Sequence, residues 1–532
     1  MLVPFLGKAF NIDDPLFLWV AQQITRDPLQ FFNFNVNWYS HSMPMYEITK
    51  NPPFASFYIA AVASIFGWSE VALHSAFLLP AIAAVLGTYE LAVMTCPRPG
   101  LAAISLLCTP VFLVCSTSIM CDTMMLAFWL WALVLWKIGL REKEPVLLLA
   151  AGLLAAVCAL TKYFGMCLIP LMLLSALMQR RSWVWWLPAV VIPIVILTFY
   201  QLWTKASYSV GLLSSAADYA VDAKAIGGRK LLQNFVVGLS FTGGCILPTG
   251  ICAGALWKAH RVALYLAATI LLWVAIENIR ELASLLNNVQ GPWSWLGPWQ
   301  LAAFVVCGGL VLILSVEELV NDPSSETVQL FLWITGTFLF AAFINWTVNG
   351  RSVLPMAPAV GILLARRVSS IREGLHRCIT LYIPLAAAAV IALMVTAADC
   401  RLADSARTAA DDTAQIVAGY PGKVWFEGHW GFQYYIQQHN ASPLDIYSMR
   451  LHLGDAMIIP TNTANLVPLP SNLFSIQSEI RLQPNPILST VCSSIGAGFY
   501  AAEFGPMPFA FGPVSADTYQ VAVFNSAPVH NR

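Results

Sequence analysis

Between residues 69 and 397 the chain alternates long apolar runs with short polar breaks, and this alternation limits the possible folds more than any other feature. Twelve runs are long enough, or nearly so, to cross a bilayer: 69–93, 100–117, 123–139, 145–160, 163–178, 183–203, 232–256, 261–276, 300–315, 326–345, 352–366 and 378–397. A spanning helix needs about 20 apolar residues, because hydrocarbon offers no partner for an unbonded backbone N–H or C=O. The run 53–66 is shorter and is expected to lie in the interface. Composition points the same way. Only 11% of residues are charged and 58% are hydrophobic, against about 25% charged in soluble domains, so most of the chain must face lipid. The expected fold class is an α-helical polytopic membrane protein.

Lysine plus arginine (28) balances aspartate plus glutamate (28), so no overall field favours nucleic acid as a partner. The local distribution of basic residues sets the orientation instead. If the first full span runs from outside to inside, the inside loops hold Arg98, Lys137, Arg141, Lys143, Arg180, Arg181, Lys258, Arg261, Arg366, Arg367, Arg372 and Arg377. The short loops on the other side hold only Lys162, Arg280 and Arg351, and the longer loop 204–231 adds four more basic residues. This places a multi-pass protein in the plasma (inner) membrane, with the N-terminal loop, the long loop and the C-terminal tail outside.

Three regions follow. Residues 1–52 form a first outer loop with a short amphipathic helix from Pro15 to about Thr25, residues 53–399 hold about 12 spans, and residues 400–532 form a small extracytoplasmic α/β domain. Carrying that loop outside requires a preceding membrane helix. The opening MLVPFLGKAF is too short to be one and lacks a signal-peptide pattern, so a helix ahead of it is expected. The twelve cysteines form no CxxC pair and most sit in apolar runs as small buried hydrophobes. Cys400 and Cys492 could form one disulfide if the tail lies in an oxidising compartment.

With this topology Asp13, Asp14, Lys50, Asp122, Lys162 and Arg351 collect on the outer face. Charges beside hydrocarbon are costly, so their gathering at one surface marks a functional site. Asp14 precedes Pro15 and reads as the helix cap, while also belonging to the candidate substrate-binding set. That leaves Asp13 free to act as a general base or to hold an acceptor hydroxyl. Asp122 could cap the helix that follows it, orient a substrate, or both. Lys50, ahead of two prolines, could pair with a phosphate or snorkel to the interface. Lys162 stands against the charge rule in a short outer turn, and the fork of Arg351 suits phosphate oxygens. Trp38, Tyr39, Tyr46, Trp293, Trp295 and Trp299 read as interfacial belt residues. Glu427 and His429 could be a site or a structural pair.

Taken together these segments resemble a known family. DDPLFLW (13–19), TKNPPFASFY (49–58), CDTMMLAFW (121–129), LTK (160–162) and RSVLPMAPA (351–359) look like the bacterial relatives of dolichyl-phosphate-mannose protein mannosyltransferases and of the aminoarabinose transferase that modifies lipid A. The resemblance covers about residues 10–370 and implies a GT-C glycosyltransferase fold. It implies catalytic roles for Asp13 and Asp122, and contacts to the donor for Asp14, Lys50, Lys162 and Arg351. The implied donor is a polyprenyl-phosphate sugar, hexosyl or pentosyl, used with inversion at the anomeric centre. The acceptor hydroxyl, on a lipid, glycan or protein, is not legible, and neither is a divalent metal requirement. No other cofactor is expected, since a sugar on a lipid phosphate is already activated and neither a P-loop nor a Rossmann fingerprint occurs. Two other readings keep the same architecture: a transporter or flippase of lipid-linked saccharides, and a non-catalytic scaffold. A transporter would place its polar residues near the midplane and show internal repeats.

Overall fold

The fold is given by a computed structural model, which describes residues 1–179, 182–226, 228–369, 378–461, 463, 466–468 and 473–525. Arg180, Arg181, Arg372 and Arg377, counted above for orientation, lie outside the described residues.

Apolar periodicity becomes helix almost throughout 54–417. Eight described helices are long and apolar enough to span: Glu70–Val93, Asp122–Glu142, Trp183–Tyr208, Ala259–Asn278, Leu296–Asn321, Ser325–Ile344, Gly350–Ser369 and Ile379–Val417. Four shorter apolar helices join them, Phe54–Phe66, Pro145–Thr161, Tyr163–Met178 and Leu231–Cys245. The chain is a multi-pass membrane protein.

Proline accounts for the departures from the expected runs. The stretch 100–117 is two helices, Pro99–Leu107 and Pro110–Cys115, with Thr109 extended between them (φ −91°, ψ 132°). Pro110 supplies no N–H to the preceding turn and pushes Thr109 out of the helical region. Pro248 follows a similar break at Ile246, and the run 232–256 continues as Leu247–Ile251 and Ala253–Leu256.

Helix pairs close where side chains are small. Gly308 packs on the Leu239 carbonyl and Gly243 on the Phe304 carbonyl, so Leu231–Cys245 and Leu296–Asn321 meet backbone to backbone. Small residues at such crossings replace the hydrophobic drive that lipid removes.

The two ends of the helix bundle differ in chemistry. At one end Lys137 pairs with Glu326, Arg261 and Arg367 with Glu317, Arg367 also with Glu318, and Arg366 with Asp322. These cations belong to the loops expected inside. The helix Asp122–Glu142 has 21 residues, and at 1.5 Å per residue it carries the chain about 30 Å to the opposite end.

At that opposite end the N-terminal loop packs under the C-terminal part. The amphipathic helix Asp14–Arg26 buries Leu16, Phe17, Leu18, Val20, Ala21 and Ile24. A hairpin follows, pairing Asn35–Asn37 with Ser42–Pro44. The last long helix, Ile383–Val417, runs through residue 400 without a break and leads into a five-stranded sheet. The sheet order is Ser442–Pro443, Val424–Phe426, Ala456–Pro460, Asp517–Phe524, Phe474–Leu482. Val424–Phe426 is parallel to both neighbours, and the last two pairings are antiparallel. The helix Trp430–Gln438 completes a small strand-containing domain. The disulfide that Cys400 and Cys492 could have formed is absent. Both thiols are free, and each lies by a local polar partner, Asp404 and Ser494 respectively.

Candidate active site

The charges expected on the outer face converge through the ends of three helices and one loop. Arg351 sits in the first turn of Gly350–Val353, a turn fixed by the Asn349 side chain, which accepts the Ser352 N–H at 2.8 Å. Its guanidinium donates from Nη1 to Asp13 Oδ2 at 2.6 Å and from Nε to Asp122 Oδ2 at 2.8 Å. Lys162, extended at the end of Pro145–Thr161, donates to the other Asp122 oxygen at 2.5 Å. Four ionised groups therefore form one chain: Asp13, Arg351, Asp122, Lys162.

Exposure falls along that chain from Asp13 to Asp122 and rises again at Lys162, whose side chain is 17% exposed. The Asp13 side chain is 30% exposed, that of Arg351 10%, and that of Asp122 0%. Asp122 is a buried anion whose cost is met by two cations at once. Asp13 has one oxygen bonded to Arg351 and enough exposure to receive a hydroxyl.

Neither aspartate is the cap that local rules suggest. Asp13 itself occupies the N-cap position before Asp14, Cys121 occupies it before Asp122, and neither makes a side-chain cap bond. Asp14 is buried and accepts backbone N–H groups from Asn11 and Ile119, each at 3.1 Å. It holds the loop against the segment that precedes Asp122. Burial raises the Asp14 carboxyl to about 7, against the pull of Lys8 and the two N–H groups.

Lys50 approaches from the side. It lies 3.4 Å from Ser215 Oγ and 5.5 Å from the centre of the Tyr219 ring. Burial lowers its proton affinity, partly offset by Glu47. Tyr219 and Tyr39 are hydrogen-bonded to each other, and the charge of Asp13 helps raise both phenols, second to burial in Tyr219 and after burial and Tyr219 in Tyr39. Helix Leu212–Ile226, in the long loop 204–231, thus carries Tyr219 to the rim of the site.

Several groups that hold this geometry escaped the sequence reading. Lys8 makes a buried 2.6 Å bridge to Asp399, which also accepts from Thr490 and Tyr500. An aspartate in the last apolar helix was the available signal. Asn11 Oδ1 accepts the Gly431 N–H at 3.2 Å, and a side chain at Gly431 would run into the Phe10 carbonyl. The segment 427–435 therefore clamps the loop that bears Asp13. His429 is part of this clamp: its ring lies 4.6 Å from Trp38, and burial pushes its pKa down to about 3. Trp38 is buried between His429 and Trp19, not in a lipid-facing belt. Among the described residues no group of three or more His, Cys, Asp or Glu is arranged to hold a metal.

Comparison with known proteins bears on the central part of the chain. Residues 50–203 match the family described as dolichyl-phosphate-mannose-protein mannosyltransferase. The resemblance read from the motifs is borne out. The matched segment contains Lys50, Asp122 and Lys162, and is less than a third of the chain. Among solved structures, ArnT from Cupriavidus metallidurans bound to undecaprenyl phosphate is 13% identical, with 86% of this chain and 90% of that chain covered and a TM-score of 0.41. The apo oligosaccharyltransferase of Archaeoglobus fulgidus is 14% identical, covering 82% of this chain and 61% of that chain, with a TM-score of 0.44. The same values hold for AglB from Archaeoglobus fulgidus in complex with an inhibitory peptide and a dolichol-phosphate. No curated protein matches the chain.

Proposed function

We propose that the chain is a GT-C glycosyltransferase that moves a sugar from a polyprenyl-phosphate donor to an acceptor hydroxyl at the outer face of the plasma membrane. The observation that carries this reading is the Asp13–Arg351–Asp122–Lys162 chain at the interface end of the bundle, with Lys50 beside it. Within the bonded chain two carboxylates balance two cations, and Lys50, which has Glu47 near it and is not bonded to a carboxylate, is the cation this reading gives to the donor phosphodiester.

In this reading the acceptor hydroxyl donates to the open oxygen of Asp13, which takes its proton as the oxygen attacks the anomeric carbon. The bond from that carbon to the phosphate oxygen breaks, and the polyprenyl phosphate leaves with the electron pair. Its charge rises by one, and Lys50, Lys162 and the unbonded donors of Arg351 are placed to stabilise it. Asp122 orients Arg351 and Lys162 and stays ionised throughout. The same reading makes Asp14 a support for the donor-binding loop. The family match and the bilayer-length helices support it as well.

The test is transfer of label from a panel of polyprenyl-phosphate hexoses and pentoses in proteoliposomes. Turnover with at least one donor, with release of the lipid phosphate, is expected. No turnover with any donor, in a protein that binds none of them, overturns the proposal.

A further inference from the structure

A cleft of about 600 Å³ lies away from the charged chain, between the helix Asp14–Arg26, the hairpin that follows it and the edge of the C-terminal sheet. All three elements lie outside the candidate spans. Its volume falls within the range of about 300–1,000 Å³ typical of small-molecule sites. We infer that this cleft binds an oligosaccharide, the part of the acceptor that lies beyond the reacting sugar or residue. The assignment to an acceptor rests on the proposed function; the assignment of a saccharide rests on the lining.

That lining combines flat aromatic surface with amides. Trp19 and Phe34 supply rings, the buried Trp425 ring is covered by the Lys423 ammonium 3.8 Å from its centre, and Gln22, Gln23 and Gln437 supply side chains that both donate and accept. A pyranose has the matching shape, with an apolar C–H face and a rim of hydroxyls that each need a donor and an acceptor. The amides of Gln22 and Gln437 make no side-chain hydrogen bond among the described residues, so they are available to a ligand. An acyl chain would leave the amides of Gln22 and Gln437 unsatisfied, whereas Gln23 already donates to the Gln30 carbonyl at 3.3 Å. The one carboxylate in the wall, Asp445, already accepts the N–H groups of Ser42, Tyr447 and Ser448.

A peptide fits less well. The sheet edge at the cleft is the two-residue strand Ser442–Pro443, too short and too proline-bound to extend by strand addition. The backbone just beyond it is taken by the hairpin: Asn37 donates to the Leu444 carbonyl at 2.7 Å, and the Ile446 N–H reaches the Ser40 carbonyl at 2.9 Å.

Position links the cleft to the reaction. Asp13 stands at the N-terminus of the helix whose next turns carry Trp19, Gln22 and Gln23. At 1.5 Å per residue the glutamines lie about 14 Å along the axis from Asp13. The cleft and the partly exposed Asp13 carboxylate are therefore carried by one helix, about two to three turns apart.

The test uses the full chain in detergent and fluorescent probes: a chitotetraose, a mannotetraose, an acidic galacturonan tetramer and a random decapeptide pool. Ser448→Trp fills the cleft from its exposed rim, and the pair Gln22→Ala with Gln437→Ala removes the free amides. Binding of at least one saccharide, weakened tenfold or more by both variants with unchanged thermal stability, is expected. Failure of every saccharide to bind, binding unaffected by either variant, or binding only of peptide overturns the cleft assignment. Direct binding separates this from the proposed function. Saccharide binding lost in Ser448→Trp in a protein without turnover retains the cleft and rejects the transferase. Turnover with no saccharide in the cleft does the reverse.

Discussion

Replacing Asp13 by asparagine separates chemistry from stability, and the structure sets both magnitudes. The change removes one charge from a pair that is 2.6 Å long and whose aspartate side chain is 30% exposed. Arg351 keeps its bond to Asp122, so no buried cation is stranded. The stability cost is therefore that of a screened, partly exposed pair, about 1 kcal/mol. Loss of a general base costs about 10²–10⁴ in rate, or about 3–5 kcal/mol of activation free energy. Asp122→Asn is the contrast. It breaks two bonds to a carboxylate that is 0% exposed, and such buried pairs cost about 3–5 kcal/mol of stability when one partner is removed. The assay is single-turnover transfer from a labelled polyprenyl-phosphate sugar, run beside thermal unfolding in the same detergent. Asp13→Asn should melt close to the wild type and transfer at least a hundredfold more slowly, whereas Asp122→Asn should lose both. An Asp13→Asn protein that keeps a tenth or more of the wild-type rate refutes the base assignment. One that melts as low as Asp122→Asn refutes the separation.

Three other outcomes follow from the same geometry. Lys50→Ala should raise the KM for donor about tenfold and lower kcat as well, since in this reading Lys50 meets the donor phosphate and the charge it gains on leaving; an unchanged KM removes it from phosphate binding. Gly308→Val should cost about 1–3 kcal/mol of stability by forcing a side chain into the Leu239 carbonyl, and a melting temperature equal to wild type would show that this crossing yields freely. Burial raises Glu427 from 4.5 to about 7, so its contribution is fully present below about pH 4.5 and is lost as pH rises through 7. Glu427→Gln should reduce the change in unfolding free energy between pH 5 and pH 8 by about 1–2 kcal/mol, allowing for solvent screening, and an unaltered pH slope would contradict this.

The helical scaffold was legible because hydrocarbon leaves the backbone no choice. Each apolar run became helix, and where a run broke, as at Thr109, a proline in the sequence gave the reason. The convergence of Asp13, Asp122, Lys162 and Arg351 was also readable, since counting spans fixes which end each one reaches. Their pairing was not. Local rules read Asp14 as a helix cap and left that role open for Asp122, but Arg351 reaches Asp13 across 338 positions and Asp122 across 229, and no propensity sees such distances. The clamp from Gly431 to Asn11 spans 420 positions, and its only trace is a glycine in an aromatic segment. Trp38 read as a belt residue because its partner His429 comes from another part of the chain. Lys8 and Asp399 were visible singly as charges at the edges of apolar stretches, and only the fold joins them.

Photo-labelling tests the central claim most directly. A polyprenyl-phosphate sugar bearing a diazirine beside the phosphate would be activated on the wild-type protein in proteoliposomes and its adducts mapped by mass spectrometry. The account predicts adducts in peptides that contain Asp13, Tyr39, Lys50, Lys162 or Tyr219, competed away by unlabelled polyprenyl phosphate. Competed adducts confined to the other end of the bundle, near Lys137, Arg261 or Arg366, would contradict it.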